Sequence, residues 1–548
     1  MPTETSAETA HDAGRAVADI EAAIAGGDWR RAYDASSRAI SRGLRHPIFF
    51  MVRAQRMEET ARFQSALEDY QRAAEIEPQD ARIHDAIGIC AMKLDEFERA
   101  ADAFASACAL EPARADIHYR RGLALAQHGA YEAARDAYQE AVRLAPQFID
   151  AIAGLASIAA RLGETACARQ LAVDALALDP RQVVSAITLV QADMSDRLYA
   201  EAEEKARVLL DRDDIPDGAR PVVLGLLGDV LDGQRRYAEA FAAHARENET
   251  LRRLYAPRFS GNPGADAARN LVGYFENAQA DRWKAPDNGG SVDGAAAGHV
   301  FLLGFMRSGT TLLEQVIACN PNVVALDEKS LLAGPSERFL TSVPALDALA
   351  QLDGPELLRQ RRHYWENARR HTPDLTGKTF VDKQPLNTSK LPLIAKLFPR
   401  ARILFALRDP RDVVLSCFRR HLKVTPTQFE FLSLEDCARF YSAIMRLYEV
   451  CREKLVLNLF EHRYEEMVQD FDGRVRAVCD FIGVEWAETM RNFDTHVSVA
   501  DLRSPSARQI RRPLYGEGIG QWRHYSEQMK PVFPLLEPWV DKFGYPRD

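Results

Sequence analysis

The residues with the clearest chemical meaning form the stretch Gly304-Phe-Met-Arg307-Ser308-Gly309-Thr310-Thr311, set between the apolar run His299–Leu303 and the amphipathic run Leu312–Cys319. That order reads as a strand, a phosphate-cradling turn and a helix. Gly304 and Gly309 keep the spacing of the G-x-x-x-x-G-K-[ST] loop, but Thr310 stands where the lysine that reaches nucleotide β- and γ-phosphates belongs. The replacement argues against an ordinary ATPase, and it disfavours a kinase with an altered loop, which would bind ATP with magnesium. Backbone N–H groups of such a turn and the positive end of the following helix still make an anion site, to which Arg307 and two hydroxyls add donors. The expected ligand is a phosphate-bearing group other than ATP or GTP.

Two further stretches carry charge at the ends of β-rich runs. Thr379-Phe-Val-Asp382-Lys383-Gln-Pro385 puts a lysine at a strand end, before a proline-marked turn and a helix near Ser389–Phe398. Arg402–Leu407 leads into Arg408-Asp409-Pro410-Arg411-Asp412 and a helix bearing Ser416. Arg408 and Ser416 are placed to clasp a second phosphate. Two anion sites, at Gly304–Thr311 and at Arg408 with Ser416, suit a nucleotide phosphorylated at two places.

These groups need a scaffold, and beyond Gly298 the sequence supplies one. Short β-rich runs (His299–Leu303, Val323–Leu326, Thr379–Asp382, Arg402–Leu407 and Leu455–Phe460) alternate with helical ones, the pattern of a parallel sheet covered on both faces. Ligands of such sheets lie beyond the carboxyl ends of the strands, where these residues fall.

The N-terminal half follows a different rule. Pro78, Pro112, Pro146 and Pro180 recur every 34 residues. Ala66, Ala100, Ala134, Ala168 and Ala202 keep the same period, Tyr70, Phe104 and Tyr138 mark an aromatic position, and Gly88 and Gly122 a small one. These residues resemble the tetratricopeptide repeat (TPR) family, in which small residues let paired helices touch and a proline follows the second helix. The resemblance implies an α-solenoid of about six or seven repeats over residues 15–255, with a concave groove for a protein or peptide. Single histidines such as His84 and His118 lack partners at catalytic or metal-ligand spacing and read as structural. Periodicity fails over 256–297, where Ser260-Gly-Asn-Pro-Gly264 and Asp287-Asn-Gly-Gly-Ser-Val-Asp-Gly294 have linker composition, with Ala267–Asp281 a candidate connecting helix. Residues 298–548 form the remaining domain.

With its motifs in this order, that domain resembles the sulfotransferase superfamily, which takes 3′-phosphoadenosine 5′-phosphosulfate as donor, and within it the tyrosylprotein sulfotransferase-like branch. The implied fold is a three-layer, P-loop-like α/β domain around a parallel sheet. The resemblance implies that Arg307, Ser308, Gly309, Thr310 and Thr311 hold the 5′-phosphosulfate, that Arg408 and Ser416 hold the 3′-phosphate, and that Lys383 contacts the sulfuryl bridge. Glu328, in Val323-Val-Ala-Leu-Asp327-Glu328-Lys329, matches the family's general base and is preferred to Asp327. The family often has Gly-Glu where this chain has Asp-Glu. The histidine base of small-molecule sulfotransferases has no counterpart at this strand end. Ser506 and Arg511 match a late loop over the nucleotide, and Tyr464 a tyrosine near the 3′-phosphate. His421, His462 and His524 are not expected to be catalytic.

The resemblance implies a sulfotransferase moving a sulfuryl group to an acceptor hydroxyl, here on a protein or peptide presented by the repeats; saccharide and small-molecule hydroxyls are further acceptors to consider. The alternative is a repeat adaptor whose nucleotide domain binds without turnover. Lysine and arginine supply the charge the transfer needs, so no metal is expected. The chain of 548 residues has 70 basic against 79 acidic side chains, a net charge of −9, which speaks against nucleic acid or an anionic membrane as a bulk partner. No apolar run reaches membrane-span length and the polar N-terminus lacks a signal-peptide core, so a cytoplasmic location is expected. The eight scattered cysteines form no C-x-x-C pair and read as free thiols.

Overall fold

A computed structural model of the chain describes residues 4–284, 292–420, 424–496 and 518–548, with side chains described from residue 11 onward except those of Thr495 and His496. The chain folds as two compact units, Met1–Leu209 and Leu210–Asp548.

The first unit is a run of antiparallel helix pairs from Glu4–Ala25 to Tyr199–Leu210. The 34-residue period has a direct packing cause. A Cβ on Gly88 would lie 2.5 Å from the ring of Phe104, and one on Gly122 would lie 2.7 Å from the ring of Tyr138. The aromatic of each second helix therefore occupies the space that the glycine of the first leaves empty. Ala66, Ala100, Ala134, Ala168 and Ala202 are fully buried where helices touch. Positions too small to bury much area alone become a continuous core once the pairs stack.

The helix pair Arg220–Gly233 and Tyr237–Tyr255, displaced by three to four residues from the 34-residue period, lies inside the second unit. Here the glycines face polar groups: a Cβ on Gly228 would meet the His244 ring at 2.5 Å and one on Gly225 the Glu247 carboxylate at 2.9 Å. This pair grips the segment 418–420. Asn248 Nδ2 donates to the Phe418 carbonyl at 2.9 Å, Arg420 pairs with Asp229 at 2.5 Å, and Phe241 stacks on Phe418 with centroids 5.1 Å apart. The connecting helix expected over Ala267–Asp281 starts earlier, at Pro263, and ends at Asn277. Proline is favoured in the first turn of a helix, and the Glu430 carboxylate accepts from the N–H groups of Gly264 (2.6 Å) and Ala265 (3.2 Å).

The sheet has five parallel strands: β1 (Gly298–Gly304), β2 (Val323–Asp327), β3 (Thr379–Lys383), β4 (Arg402–Leu407) and β5 (Asn458–Arg463). Their order is β2-β3-β1-β4-β5. Alternation sorts β1 between two layers: Val300 and Leu302 join Val381, Leu404 and Ala406 against Leu313, Val316 and Ile482, while Phe301 lies among Tyr364 and Phe398. The fifth strand is displaced from the expected Leu455–Phe460. The helix Leu434–Lys454 runs up to Leu455, which is buried as its cap, and Val456 is 77% exposed, so pairing with β4 begins only at Asn458. The helix expected near Ser389–Phe398 is a 3-10 turn over Pro385–Lys390 followed by the helix Leu391–Leu397, whose second residue is Pro392. No described helix is long and apolar enough to cross a membrane.

Burial leaves several ionisable groups in this unit with displaced proton affinities. Desolvation raises the carboxyls of Glu247 and Glu314 to about 8 and those of Asp382 and Glu430 to about 7. It lowers His299 to about 3 and His462 to about 4. A carboxyl raised in the folded state stabilises at low pH, and that contribution is lost as pH climbs through its folded value; a histidine held neutral costs stability only below its ordinary value of about 6.5. Between about pH 6.5 and 8, therefore, the carboxyls dominate. The thermal midpoint of the second unit, followed by calorimetry, should fall across that window, and a rising midpoint would contradict the assignment.

Candidate active site

Every strand end delivers a group that the sequence marks. The loop Phe305–Gly309 follows β1, Asp327 closes β2 with Glu328 next, Lys383 closes β3, Arg408 follows β4 and Tyr464 follows β5. Parallel register sets them side by side: Asp327 pairs with Lys383, Gly304 with Ala406, and Leu407 with Arg463.

The loop is built by close backbone approach. A Cβ on Gly304 would lie 2.7 Å from the Ala406 carbonyl oxygen, and the Thr388 hydroxyl ties both ends of that residue, accepting from its N–H (3.2 Å) and donating to its carbonyl (2.6 Å). Gly309 caps the helix Thr310–Ala318 at φ +90°, with the Tyr464 ring 2.8 Å from where a Cβ would sit. Arg307 takes φ +69°, a left-handed conformation that costs a non-glycine residue energy and recurs at functional sites. Ser308, Thr310 and Thr311 are all buried, beside the helix N-terminus.

The strand order reverses between β1 and β4, and there the two expected phosphate sites meet. Arg307 Nε donates to Ser416 Oγ at 2.9 Å, and Arg408 donates to the Arg307 carbonyl at 3.0 Å. Arg408 also donates to the Gly518 carbonyl at 2.5 Å and lies over the Tyr464 ring, 5.1 Å from its centroid. Its Nε is buried without a hydrogen bond. Burial raises the Tyr464 hydroxyl, against the pull of Arg408. Asp412 fastens this corner, accepting from Gly520 N at 2.7 Å and Trp522 N at 2.9 Å.

At the other side of β1, Lys383 is fully buried and its ammonium meets three carboxylates. Glu328 Oε1 lies at 3.0 Å, Glu314 Oε2 at 3.3 Å, and Asp327 is in direct contact. Burial favours the neutral amine, but Glu314, Glu328 and Asp327 outweigh it and hold Lys383 above its ordinary value. Glu314 moves the same way: desolvation raises it further than Lys383 can pull it back, and Asp327 and Glu328 add to the rise. Glu328 is the most open of the three, 40% exposed, and sits at φ +48° with its N–H on the Lys383 carbonyl at 2.9 Å. Its carboxylate is thus at once bonded to the lysine and open to solvent.

Of the residues the sequence marks, Arg307, Ser308, Gly309, Thr310, Thr311, Arg408, Ser416 and Tyr464 gather around the loop, and Glu328 and Lys383 pair beside it. Ser506, Arg511 and His421 lie outside the described residues. His462 is buried in β5, and His524 stacks on Tyr237 with centroids 4.4 Å apart. Glu314, Thr388 and Asp412 join the site without having been singled out. Only Glu314 had a signal, an acid inside the otherwise apolar face of Thr-Thr-Leu-Leu-Glu-Gln-Val-Ile-Ala. Among the described residues no group of three or more His, Cys, Asp or Glu side chains could hold a metal ion.

Residues 299–488 match a model of the sulfotransferase family, and residues 86–147 a tetratricopeptide repeat model. The chain thus joins a tetratricopeptide repeat segment to a sulfotransferase-family domain. Protein-tyrosine sulfotransferase 2 of Gallus gallus is 23% identical over 268 residues, 45% of this chain and 69% of its own length. Protein-tyrosine sulfotransferase 1 of Danio rerio is 24% identical over 267 residues, 45% of this chain and 72% of its own. A protein of Aquifex aeolicus is 21% identical over 410 residues, 72% of this chain, and the chain spans about half (51%) of that protein's length. Among solved structures, a tetratricopeptide repeat protein from Parabacteroides merdae aligns at 14% identity with a TM-score of 0.36, covering 44% of this chain and 93% of that one.

Proposed function

We propose that the second unit transfers a sulfuryl group from 3′-phosphoadenosine 5′-phosphosulfate to an acceptor hydroxyl, and that the acceptor is a protein or peptide bound by the repeats. The observation that carries this reading is the Lys383–Glu328 pair, 3.0 Å apart, at neighbouring strand ends beside an anion-binding loop without its lysine. A cation and an open carboxylate so placed are what in-line transfer between two oxygens requires.

The residues fit a doubly phosphorylated nucleotide. Arg408 keeps a buried Nε that carries no hydrogen bond, and Gly309 lets the Tyr464 ring pack directly against the loop. Arg307, the loop N–H groups and the buried hydroxyls of Ser308, Thr310 and Thr311 would hold the 5′ end; Arg408 and Ser416, joined through Arg307, would hold the 3′-phosphate. Ser506 and Arg511 are assigned to the cover over the nucleotide. When bound, the donor supplies an activated sulfuryl group on a phosphate leaving group. Glu328 accepts the proton of the acceptor hydroxyl, a contribution typically of about 10²–10⁴-fold. Lys383 and Arg307 stabilise the charge left on the phosphate oxygen as the sulfur–oxygen bond to it breaks and the bond to the acceptor forms.

The acceptor class follows from architecture, since stacked repeats expose extended surfaces suited to peptides. All eight cysteines are unpaired, as suits action in the cytoplasm. The test is transfer of labelled sulfate to a panel of tyrosine peptides, saccharides and phenols by the full chain. Labelled peptide that is lost with Glu328→Ala supports the reading; labelled saccharide or phenol alone would move the acceptor elsewhere, and no product would leave a binding protein without turnover.

A further inference from the structure

The Lys383 ammonium meets three carboxylates but donates a hydrogen bond to Glu328 Oε1 at 3.0 Å, while Glu314 Oε2, 3.3 Å away, is buried with no hydrogen bond of its own and is held by charge. A lysine that must also reach a leaving phosphate has to release one of these carboxylates. We propose that Glu314 is a positioning residue of the transfer site: it holds the Lys383 ammonium through a buried ion pair and is the partner that yields when the donor nucleotide binds. This rests on the sulfuryl-transfer reading above.

Three observations single out Glu314. It makes the longer of the two measured carboxylate contacts normal for such pairs, 3.3 Å against 3.0 Å for Glu328. It comes from the helix Thr310–Ala318, whose N-terminus forms the anion loop, so one helix contributes to both the cradle and the lysine. And it is 2% exposed, whereas Asp327 and Glu328 are partly open to water. With all three acids ionised the cluster would carry two net negative charges where an anion must approach. A proton on Glu314 removes one of them and weakens its hold on the ammonium, so the Lys383 charge is free to face an incoming anion.

The groups facing Glu314 from each neighbouring element are few. From β2 come Asp327 and Glu328, and from β3 comes Lys383. β1 has only His299 as a titratable residue, bonded to Tyr364 at 3.0 Å. In the turn Glu488–Met490, the Glu488 carboxylate is engaged by Trp486 (3.1 Å) and Arg491 (3.2 Å). Burial holds Glu314 at about 8, while Lys383 is held above its ordinary value and stays charged through the same range. Raising the pH through about 8 therefore ionises Glu314, tightens its grip on Lys383 and adds charge against the incoming phosphate.

The experiment is calorimetric titration of the full chain with 3′-phosphoadenosine 5′-phosphate at pH 7 and pH 9, comparing native protein, Glu314→Gln and Glu314→Leu. If binding needs the protonated acid, native affinity falls about tenfold over that interval, one factor of ten per pH unit above the titration point. Both variants lack an ionising group and should change by less than about twofold, whatever their absolute affinity. The same comparison of slopes for turnover carries the point into catalysis. If the native protein binds and the three slopes run parallel, Glu314 has no such role although the donor reading stands. If no protein binds at either pH, the donor reading itself falls and the role of Glu314 with it. Should Glu314→Gln not fold, Glu314→Leu, apolar in an apolar helix face, decides alone.

Discussion

Replacing Lys383 by methionine should lower turnover by about 10²–10³-fold, the usual cost of removing one group that stabilises charge on a reacting oxygen. Methionine keeps most of the aliphatic volume in a site that is fully buried. It leaves Glu314, Asp327 and Glu328 facing one another without a cation, and the proton that burial already favours on Glu314 relieves part of that repulsion. The variant should accordingly remain folded. Nucleotide affinity should change far less than turnover, because Arg307 and the loop follow β1 and Arg408 follows β4, whereas Lys383 closes β3. Steady-state transfer rates beside calorimetric affinities separate the two. Loss of affinity equal to the loss of rate would mean that Lys383 binds the ground state and has no special part in transfer.

The second large effect concerns Asp412. This carboxylate is 1% exposed and accepts from the backbone N–H groups of Gly520 and Trp522, so it ties the helix Pro410–Arg419, which carries Ser416, to the returning chain at 518–525. Asp412→Ala orphans two N–H groups, with an expected loss of about 3 kcal/mol in the unfolding free energy of this unit. Gly518, whose carbonyl accepts from Arg408, belongs to the same segment, so nucleotide affinity should fall along with stability. Asp412→Asn, which keeps one acceptor, should recover part of both. Unfolding in urea with and without nucleotide measures them together, and an unchanged midpoint for Asp412→Ala would contradict the role.

Much of this was legible in the sequence because periodicity reports packing. The 34-residue spacing of Pro78, Pro112, Pro146 and Pro180 follows from helices that fill one another's glycine gaps, as Phe104 fills that of Gly88. The loop Gly304–Thr311 was legible because a Cβ at its start would lie 2.7 Å from the Ala406 carbonyl oxygen, so glycine is needed there. What sequence patterns did not give was long-range pairing. Glu314 looks like a misplaced acid until β3 brings Lys383 to it, 69 positions later in the chain. Ser416 was matched with Arg408 alone, whereas Arg307 reaches it across 109 positions. The helix pair 220–255 looks like one more repeat in the sequence, and contacts such as those of Asp229, Phe241 and Asn248 with residues 418–420 tie it to the second unit. The start of β5 slipped by three residues because a cap residue, Leu455, is as apolar as a strand residue.

The central claim is a site for a nucleotide phosphorylated at both its 3′ and 5′ positions, and calorimetry tests it directly. At pH 7 the protein should bind 3′-phosphoadenosine 5′-phosphate with micromolar affinity and show no heat with ATP, and Arg408→Ala should abolish the binding. Equal binding of ATP, or an affinity indifferent to Arg408→Ala, would contradict the account.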